Sequence, residues 1–337
     1  MTLRPAAGWD PPELPDPLSG FVSAVAGTWK ILARPGRLEI ARSFLEPFTV
    51  EEILTLMVKA PGETGAEGAW AGDPGAVRQG PRGRGGVLEV DCGDGTTLIL
   101  KALRRGGLPA RLRGGYYGGS RLLAEMAILE EAWKRGVPTA APAFGAVGLG
   151  RDGRAVGLLA TESLAGAIRL GAIIDRSPLP VADLLPAARR SGDRRNDAGA
   201  PRPEDPRRAA LRAAGGAVRR AHDLGLAHSD LNIGNILLRR GLHGWEAALI
   251  DVGLSDLGGP LEPGRRAANL VRLLRSAEKH LGAHPGQARY AVAFLIGYLG
   301  EGPDPHRRRR RELLTAVRRR LPVMRLHRLG WRLLGKG

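Results

Sequence analysis

Two aspartates and an asparagine in the second half of the chain have the types and spacing that phosphoryl transfer requires. Asp230 and Asn235 lie five residues apart, and Asp251 follows sixteen residues after Asn235. Such transfer uses one carboxylate beside the attacking hydroxyl, and a second carboxylate with an amide oxygen to hold Mg²⁺ on the phosphates. A loop of the form H-x-D-L-x-x-x-N supplies the first carboxylate and the amide, and a later Asp-x-Gly turn supplies the second. We therefore predict that Asp230 and Asn235 are catalytic and that Asn235 and Asp251 bind the metal.

A β-hairpin is expected to bring these side chains together. Residues 235–238 are predicted to be a short strand, residues 239–244 a turn, and residues 247–250 the returning strand. This hairpin would carry Asp251 back beside Asn235. The alternative is a polar loop before an ordinary hairpin, in which these side chains only cap turns.

A second group of candidates lies in the first half of the chain and suits a nucleotide. Lys101 lies inside the apolar stretch 97–103, where a strand-interior ammonium needs a partner. ATP phosphates and a glutamate on the next helix are such partners, and Glu125 is the candidate for the ion pair. The alternative is a lysine at a sheet edge. Just ahead of this strand, glycines would let backbone amides approach phosphates, although an ordinary glycine-rich turn has the same pattern; these glycines are Gly83, Gly85 and Gly86.

The order of predicted elements favours an α+β, bilobal, protein-kinase-like fold, with a small β-rich N-lobe and a mainly helical C-lobe. Strands are predicted over residues 86–92, 96–103, 144–149 and 155–161, and helices over residues 49–58, 120–134, 206–224, 265–281 and 287–299. The corresponding division is an N-terminal extension over 1–77, an N-lobe over 78–163, a C-lobe over 164–305 with a flexible insertion at 177–206, and a basic amphipathic tail over 306–337.

Composition and charge indicate a cytosolic protein with a basic tail. The single cysteine, Cys92, cannot form an internal disulfide, and the first residues lack the layout of a signal peptide. The net charge is +17, but residues 307–337 alone hold twelve Lys or Arg and one acidic residue. The high net charge therefore gives information about the binding partners of the tail and little about the fold. Nucleic acid is an improbable partner, because Trp331 is the tail's only aromatic residue for stacking.

Two features argue against a protein acceptor. Asn232 stands two residues after Asp230, where Ser/Thr protein kinases have a lysine. About a dozen residues separate Asp251 from the next predicted helix, and no Ala-Pro-Glu motif follows. This leaves little backbone for a peptide-docking segment, so a small or lipid-linked hydroxyl is the expected acceptor.

Four motifs together resemble the lipopolysaccharide kinase family, and the resemblance covers about residues 80–300. The motifs are Gly83-Arg-Gly85, Arg104-Arg-Gly-Gly107, His228-Ser-Asp-Leu-Asn232 and Asn269-Leu-Val-Arg272-Leu-Leu-Arg275-Ser276. The resemblance implies ATP- and Mg²⁺- (or Mn²⁺-) dependent phosphorylation of a core sugar, 3-deoxy-D-manno-octulosonic acid (Kdo), on nascent lipid A at the cytoplasmic face of the inner membrane. The chain departs from the family pattern in having Asp251-Val-Gly253 instead of Asp-Phe-Asp, and in the insertion at 177–206.

Arginine pairs and the tail provide candidate contacts with the acceptor and its membrane. Guanidinium groups could bind the Kdo carboxylate or the lipid A phosphates, although ordinary solvated charges remain an alternative. The tentative acceptor-binding residues are Arg104, Arg105, Asn232, Arg272 and Arg275. The tail alternates arginines with apolar residues, as segments that lie in an anionic headgroup layer do; the alternative is a basic helix packed on the helical lobe with its arginines in water. Competing functions are an atypical bacterial Ser/Thr protein kinase and a non-catalytic, kinase-like, membrane-binding protein.

Overall fold

The structure is a computed structural model, and it describes residues 18–58, 77–79, 86–103, 119–175, 205–281, 287–300 and 311–320. The chain divides into two units. The first comprises Met1–Glu131 with Ala140–Ser163, and the second comprises Ala132–Thr139 with Leu164–Gly337.

An antiparallel sheet of seven strands forms the first unit, in the order β1-β2-β6-β7-β5-β4-β3. Its strands are β1 Val22–Ala26, β2 Trp29–Ala33, β3 Val77–Gln79, β4 Val87–Asp91, β5 Thr97–Ala102, β6 Pro142–Leu149 and β7 Ala155–Glu162. Buried side chains alternate along β5, as expected for a strand in a sheet with one face on the core. These strands therefore place Lys101 inside the sheet, between β4 and β7.

Helices pack around this sheet. They are α1 Leu38–Leu45, α2 Val50–Val58 and α3 Gly119–Lys134, whose last residues, from Ala132, belong to the second unit. Thr49 begins α2 with a capping box, because its hydroxyl accepts from the Glu52 amide and its own amide donates to the Glu52 carboxylate. A Cβ at Gly145 in β6 would collide with the Met126 side chain, so this glycine allows α3 to pack closely on the sheet.

The second unit is mainly helical. Its helices are α4 Leu170–Ile174, α5 Pro206–Asp223, α6 Pro263–Leu281, α7 Gln287–Leu299 and α8 over residues 311–320. Its short strands are β8 Ile168–Arg169, β9 Leu226–Ala227, β10 Ile236–Gly241, β11 Gly244–Leu249 and β12 Asp256–Leu257. Asp205 caps α5 by accepting from the Arg207 amide, and Pro206 occupies its first turn. Four residues separate the end of α5 at Asp223 from His228, the first residue of the predicted catalytic loop.

The predicted α+β fold, with a β-rich first part and a mainly helical second part, is confirmed by this element order. One boundary is wrong: residues 18–58 are no separate extension, because β1 and β2 belong to the same sheet. Residues Trp29–Ala33 pair with Phe144–Gly148 of β6. The predicted turn at 239–244 is too long, since β10 and β11 pair up to Gly241 and Gly244. Of the predicted insertion at 177–206, residues 177–204 lie outside the described residues, whereas Asp205 and Pro206 begin α5.

Among the described residues, no helix is long and apolar enough to span a bilayer.

Candidate active site

The catalytic-loop motif lies between β9 and β10 in the second unit. His228 is buried, whereas Asp230 is exposed. Asn232 caps a single turn of 3-10 helix, Ile233–Asn235, by accepting from the Gly234 amide at 2.8 Å. This turn bends the chain so that Asn235 faces back toward Asp230. Its Nδ2 donates to the Asp230 carbonyl at 2.9 Å.

The hairpin brings Asp251 beside this loop, as the sequence predicts. Ile236 pairs with Leu249, and the Ile250 amide donates to the Asn235 carbonyl at 3.0 Å. Asp251 then adopts a left-handed backbone conformation, with φ 61° and ψ 36°. It is the only non-glycine residue with positive φ in the part of the chain that the structure describes. Such a conformation costs of order 1 kcal/mol or more and is typical of functional turns.

His228 links the backbone next to both acidic residues. Its Nε2 lies 2.9 Å from the Ile250 carbonyl, and its Nδ1 accepts from the Asp230 amide at 3.1 Å. A carbonyl can only accept, so Nε2 carries the hydrogen and the ring is neutral. Burial lowers the pKa of His228, an effect that the Ile250 hydrogen bond and the nearby aspartates partly oppose. His228 belongs to the predicted motif, but the spacing of the motif does not indicate this role.

Asn232 contacts Asp230 itself. Its Nδ2 donates to the Asp230 carbonyl at 3.1 Å and to the carboxylate Oδ2 at 3.0 Å. Both ends of the amide are thereby engaged within the loop, since its Oδ1 accepts from Gly234. These contacts orient the Asp230 carboxylate, which is a different role from the acceptor binding predicted for Asn232.

The four arginines that were predicted to bind the sugar acceptor differ in their surroundings. Arg272 of α6 donates to the carbonyls of His228 and Ser229, at 3.2 Å for the first. It therefore contacts the loop backbone, a role that its sequence pattern did not indicate. Arg275 is exposed on the same helix. Arg104 and Arg105 lie outside the described residues.

In the first unit, Lys101 and Glu125 form the predicted ion pair. Lys101 Nζ lies 3.9 Å from Glu125 Oε2, and Glu125 is 6% exposed. Because β5 is an interior strand, the alternative of a lysine at a sheet edge is excluded. Glu125 has a closer partner in Arg121, whose Nε donates to Oε1 at 2.9 Å. The spacing of four residues on α3 could have indicated this partner.

The glycines ahead of β4 are described only in part. Gly83 and Gly85 lie outside the described residues. Gly86 has φ 66°, and a Cβ there would collide with the backbone of Met57 at the end of α2. Packing against α2 therefore accounts for this glycine without a phosphate.

Comparison with known proteins decides the family. The family model "Lipopolysaccharide kinase (Kdo/WaaP) family" matches residues 195–298, which include the catalytic loop and Asp251. A 3-deoxy-D-manno-octulosonic acid kinase of Xanthomonas campestris pv. campestris is 32% identical over 205 residues, covering 58% of this chain and 68% of the relative. The chain belongs to the lipopolysaccharide kinase (Kdo/WaaP) family. As a member of this family it is a kinase, a phosphotransferase that acts on a hydroxyl.

Two further matches to this lipopolysaccharide kinase family member have lower sequence identity. The 3-deoxy-D-manno-octulosonic acid kinase of Haemophilus influenzae is 27% identical over 209 residues, covering 60% of this chain and 75% of the relative. The solved structure of WaaP in complex with acyl carrier protein aligns at 18% identity, covering 73% of this chain and 86% of that chain. The TM-score of this alignment is 0.39.

Proposed function

We propose that this kinase transfers the γ-phosphoryl group of ATP to a hydroxyl of Kdo carried on lipid A. The observation that carries the proposal is the fixed arrangement of Asp230, Asn235 and Asp251 in a chain whose relatives are named Kdo kinases. In the reaction, the hydroxyl oxygen bonds to the γ-phosphorus and the bond to the β,γ-bridging oxygen breaks, so that ADP leaves. Asp230 orients the hydroxyl and accepts its proton.

The neighbours of Asp230 suit this role. One carboxylate oxygen, Oδ2, accepts from Asn232, a bond that sets the plane of the carboxylate. Because Asp230 is exposed, a hydroxyl from solution can reach it. Two side-chain amides, those of Asn232 and Asn235, donate to the Asp230 carbonyl and fix the loop below it.

The metal would bind to Asn235 and Asp251. An amide oxygen and a carboxylate are hard ligands, which suit Mg²⁺ or Mn²⁺ together with phosphate oxygens and water. The Asn235 Nδ2 is bonded to the Asp230 carbonyl, so Oδ1 is the atom that would face a cation. Bound Mg²⁺ would neutralise charge on the phosphates during transfer. Phosphate oxygens and water would complete the coordination of a cation held by these two side chains.

Lys101 would bind the ATP phosphates, with Glu125 holding its ammonium in place. Two cations share the buried Glu125 carboxylate, one on each oxygen. The Lys101–Glu125 distance of 3.9 Å is that of an ion pair beyond hydrogen-bond length. Lys101 is thus attracted to Glu125 without a short bond to it, an arrangement compatible with turning the ammonium toward phosphate.

The acceptor is tested by direct phosphorylation. Purified protein is incubated with ATP, Mg²⁺ and Kdo-lipid A, and the products are analysed by mass spectrometry. We expect the mass of one phosphoryl group to be added to the Kdo residue, and no addition with Asp230→Asn protein. Lipid A without Kdo and a generic acceptor protein serve as controls. If the phosphoryl group is added only to the acceptor protein, the protein-kinase function replaces this proposal.

We also propose that α8 contributes to binding at an anionic membrane surface, the cytoplasmic face of the inner membrane. Leu313 is buried within the second unit, whereas Arg311 and Arg318–Arg320 are exposed. The helix is therefore docked through its apolar side with its arginines in solvent. Each basic residue near an anionic surface contributes about 1 kcal/mol, and salt screens the contact. Residues 321–337 lie outside the described residues.

Because α8 packs on the rest of the protein through Leu313, membrane binding is best tested with substitutions of exposed charges. Removal of the whole tail would also remove the buried Leu313, so exposed charges are better targets. We expect Arg318→Gln/Arg319→Gln protein to bind anionic vesicles at least about tenfold more weakly, since two contacts of about 1 kcal/mol are lost. The matched control is Arg151→Gln/Arg154→Gln, which removes equal charge from an exposed turn of the first unit. Equal cosedimentation of both variants would exclude α8 as the anchor.

A further inference from the structure

Helix α6 bears polar side chains on the face that contacts the catalytic loop. Asn269 accepts at its Oδ1 from His222, Arg272 donates to two loop carbonyls, and the Ser276 hydroxyl accepts from the Ile233 amide at 3.3 Å. Residues spaced by three and four lie along one side of a helix. One face of α6 therefore holds the segment from the end of α5 to the 3-10 turn.

Arg272 acts on the two peptide groups immediately before Asp230. The carbonyl of the first, between His228 and Ser229, accepts from Arg272, and its amide donates to the Ser255 hydroxyl at 3.3 Å. The carbonyl of the second, between Ser229 and Asp230, also accepts from Arg272. Its amide donates to His228 Nδ1 at 3.1 Å. Both peptide groups are thus held at their carbonyl and at their amide.

Both carbonyls accept from the same guanidinium nitrogen, Nη1 of Arg272. A guanidinium is planar, always charged and can donate to two acceptors in a fixed geometry. Two neighbouring carbonyls that point the same way repel each other, and a shared cation offsets that repulsion. The exposed position of the loop means that no surrounding packing replaces this bond, since Ser229 and Asp230 are both exposed.

We infer that Arg272 is a positioning residue, which fixes the direction of the Asp230 side chain by holding the peptide groups that precede it. The inference rests on the proposed catalytic role of Asp230. It assigns Arg272 to the loop and leaves acceptor binding to other groups. A displacement of about 1 Å in a catalytic group can slow a reaction by about a hundredfold, so the expected effect is on turnover.

The kinetic test separates positioning from acceptor binding. We expect Arg272→Gln to lower kcat by about 10- to 100-fold while the KM values for ATP and Kdo-lipid A change less than about threefold. Arg272→Lys, which keeps the charge and one donor direction, should recover part of kcat. Arg265→Gln is the matched control, because Arg265 is exposed on the same helix and pairs with the exposed Asp256. A raised KM for Kdo-lipid A with unchanged kcat would overturn the inference.

A second measurement requires no acceptor. Hydrogen–deuterium exchange of the Ser229 and Asp230 amides should be at least about tenfold faster in Arg272→Gln than in Arg265→Gln protein, and Arg272→Lys should show an intermediate increase. Exchange at control rates would overturn the inference whatever the substrate is. If Arg272→Gln protein does not fold, Arg272→Lys gives the same two readouts. Faster exchange together with full activity of Asp230→Asn protein would instead refute the proposed function of Asp230.

Discussion

The two units hold their candidate functional groups in different ways. In the second unit, Asp230 is fixed by the backbone around it, through His228, Asn232, Asn235 and Arg272. In the first unit, Lys101 depends on one buried carboxylate, Glu125, at 3.9 Å, and that carboxylate has a closer bond to a second cation.

This difference indicates a division of tasks. A group that takes a proton from one hydroxyl needs a fixed direction, which hydrogen-bonded peptide groups provide. A side chain that changes position when the nucleotide binds and dissociates can be held by a longer ion pair. We therefore expect changes in the loop to affect turnover, and changes around Glu125 to affect nucleotide binding.

The largest effect is expected at Asp251. Asp251→Asn should lower kcat/KM for ATP by at least about a hundredfold, equivalent to about 3 kcal/mol, because a metal carboxylate is lost. Asparagine tolerates the left-handed conformation of this residue, so the fold should be preserved. The measurement is activity against Mg²⁺ concentration. Unchanged Mg²⁺ dependence would contradict the metal assignment.

The two cations on Glu125 should differ in importance. Lys101→Met is expected to lower kcat/KM for ATP by about a hundredfold, because the phosphate contact is lost. Arg121→Met should change it by less than about threefold, since Arg121 only shares the carboxylate. Steady-state kinetics with varied ATP compares them. Equal losses of kcat/KM in the two variants would contradict the specific role of Lys101 in binding the phosphates.

A smaller effect on stability is expected from the histidine that precedes the loop. His222 is buried, with Nδ1 2.7 Å from the Tyr298 hydroxyl and Nε2 3.3 Å from Asn269 Oδ1. Burial, and then the charge of Arg266, lower its pKa from 6.5 to about 4. Between these values the unfolded chain binds a proton that the folded chain does not. The free energy of unfolding should therefore fall as pH decreases from 6.5 to 4, by about 3 kcal/mol in total.

The variant His222→Gln isolates this contribution. The difference in unfolding free energy between wild type and variant, measured in urea from pH 4 to pH 8, should shrink as the pH falls below 6.5. His228, whose pKa is also lowered by burial, is present in both proteins and cancels. A difference that is independent of pH would contradict the assignment.

The sequence predicted the parts of the fold whose patterns are local. The hairpin after Asn235 and the strand that contains Lys101 follow from short apolar runs bounded by turn residues, and the helix that contains Glu125 was predicted to end at Gly136. The join of β1 and β2 to the sheet was missed, because β2 pairs with β6 more than a hundred residues later. Two-residue strands such as β9 and β12 are too short to show a period.

Within the candidate site, spacing identified the residues but not their partners. Asn232 and Arg272 were predicted to bind the acceptor because of their types, whereas both contact the loop that carries Asp230. The bonds of Arg272 go to backbone carbonyls, which have the same chemistry in every residue and leave no signature in a sequence. Arg121 was detectable by its helical spacing from Glu125.

The most direct test of the account is the single-turnover rate of Asp230→Asn protein. Enzyme in excess is mixed with saturating ATP and Kdo-lipid A, and the phosphorylated product is followed by rapid quench. Asparagine can still accept from Asn232, so the loop should keep its geometry while losing the proton acceptor. We predict a rate at least about a hundredfold below wild type, with a Kd for ATP within about threefold of it. A near-wild-type rate would contradict the catalytic role of Asp230.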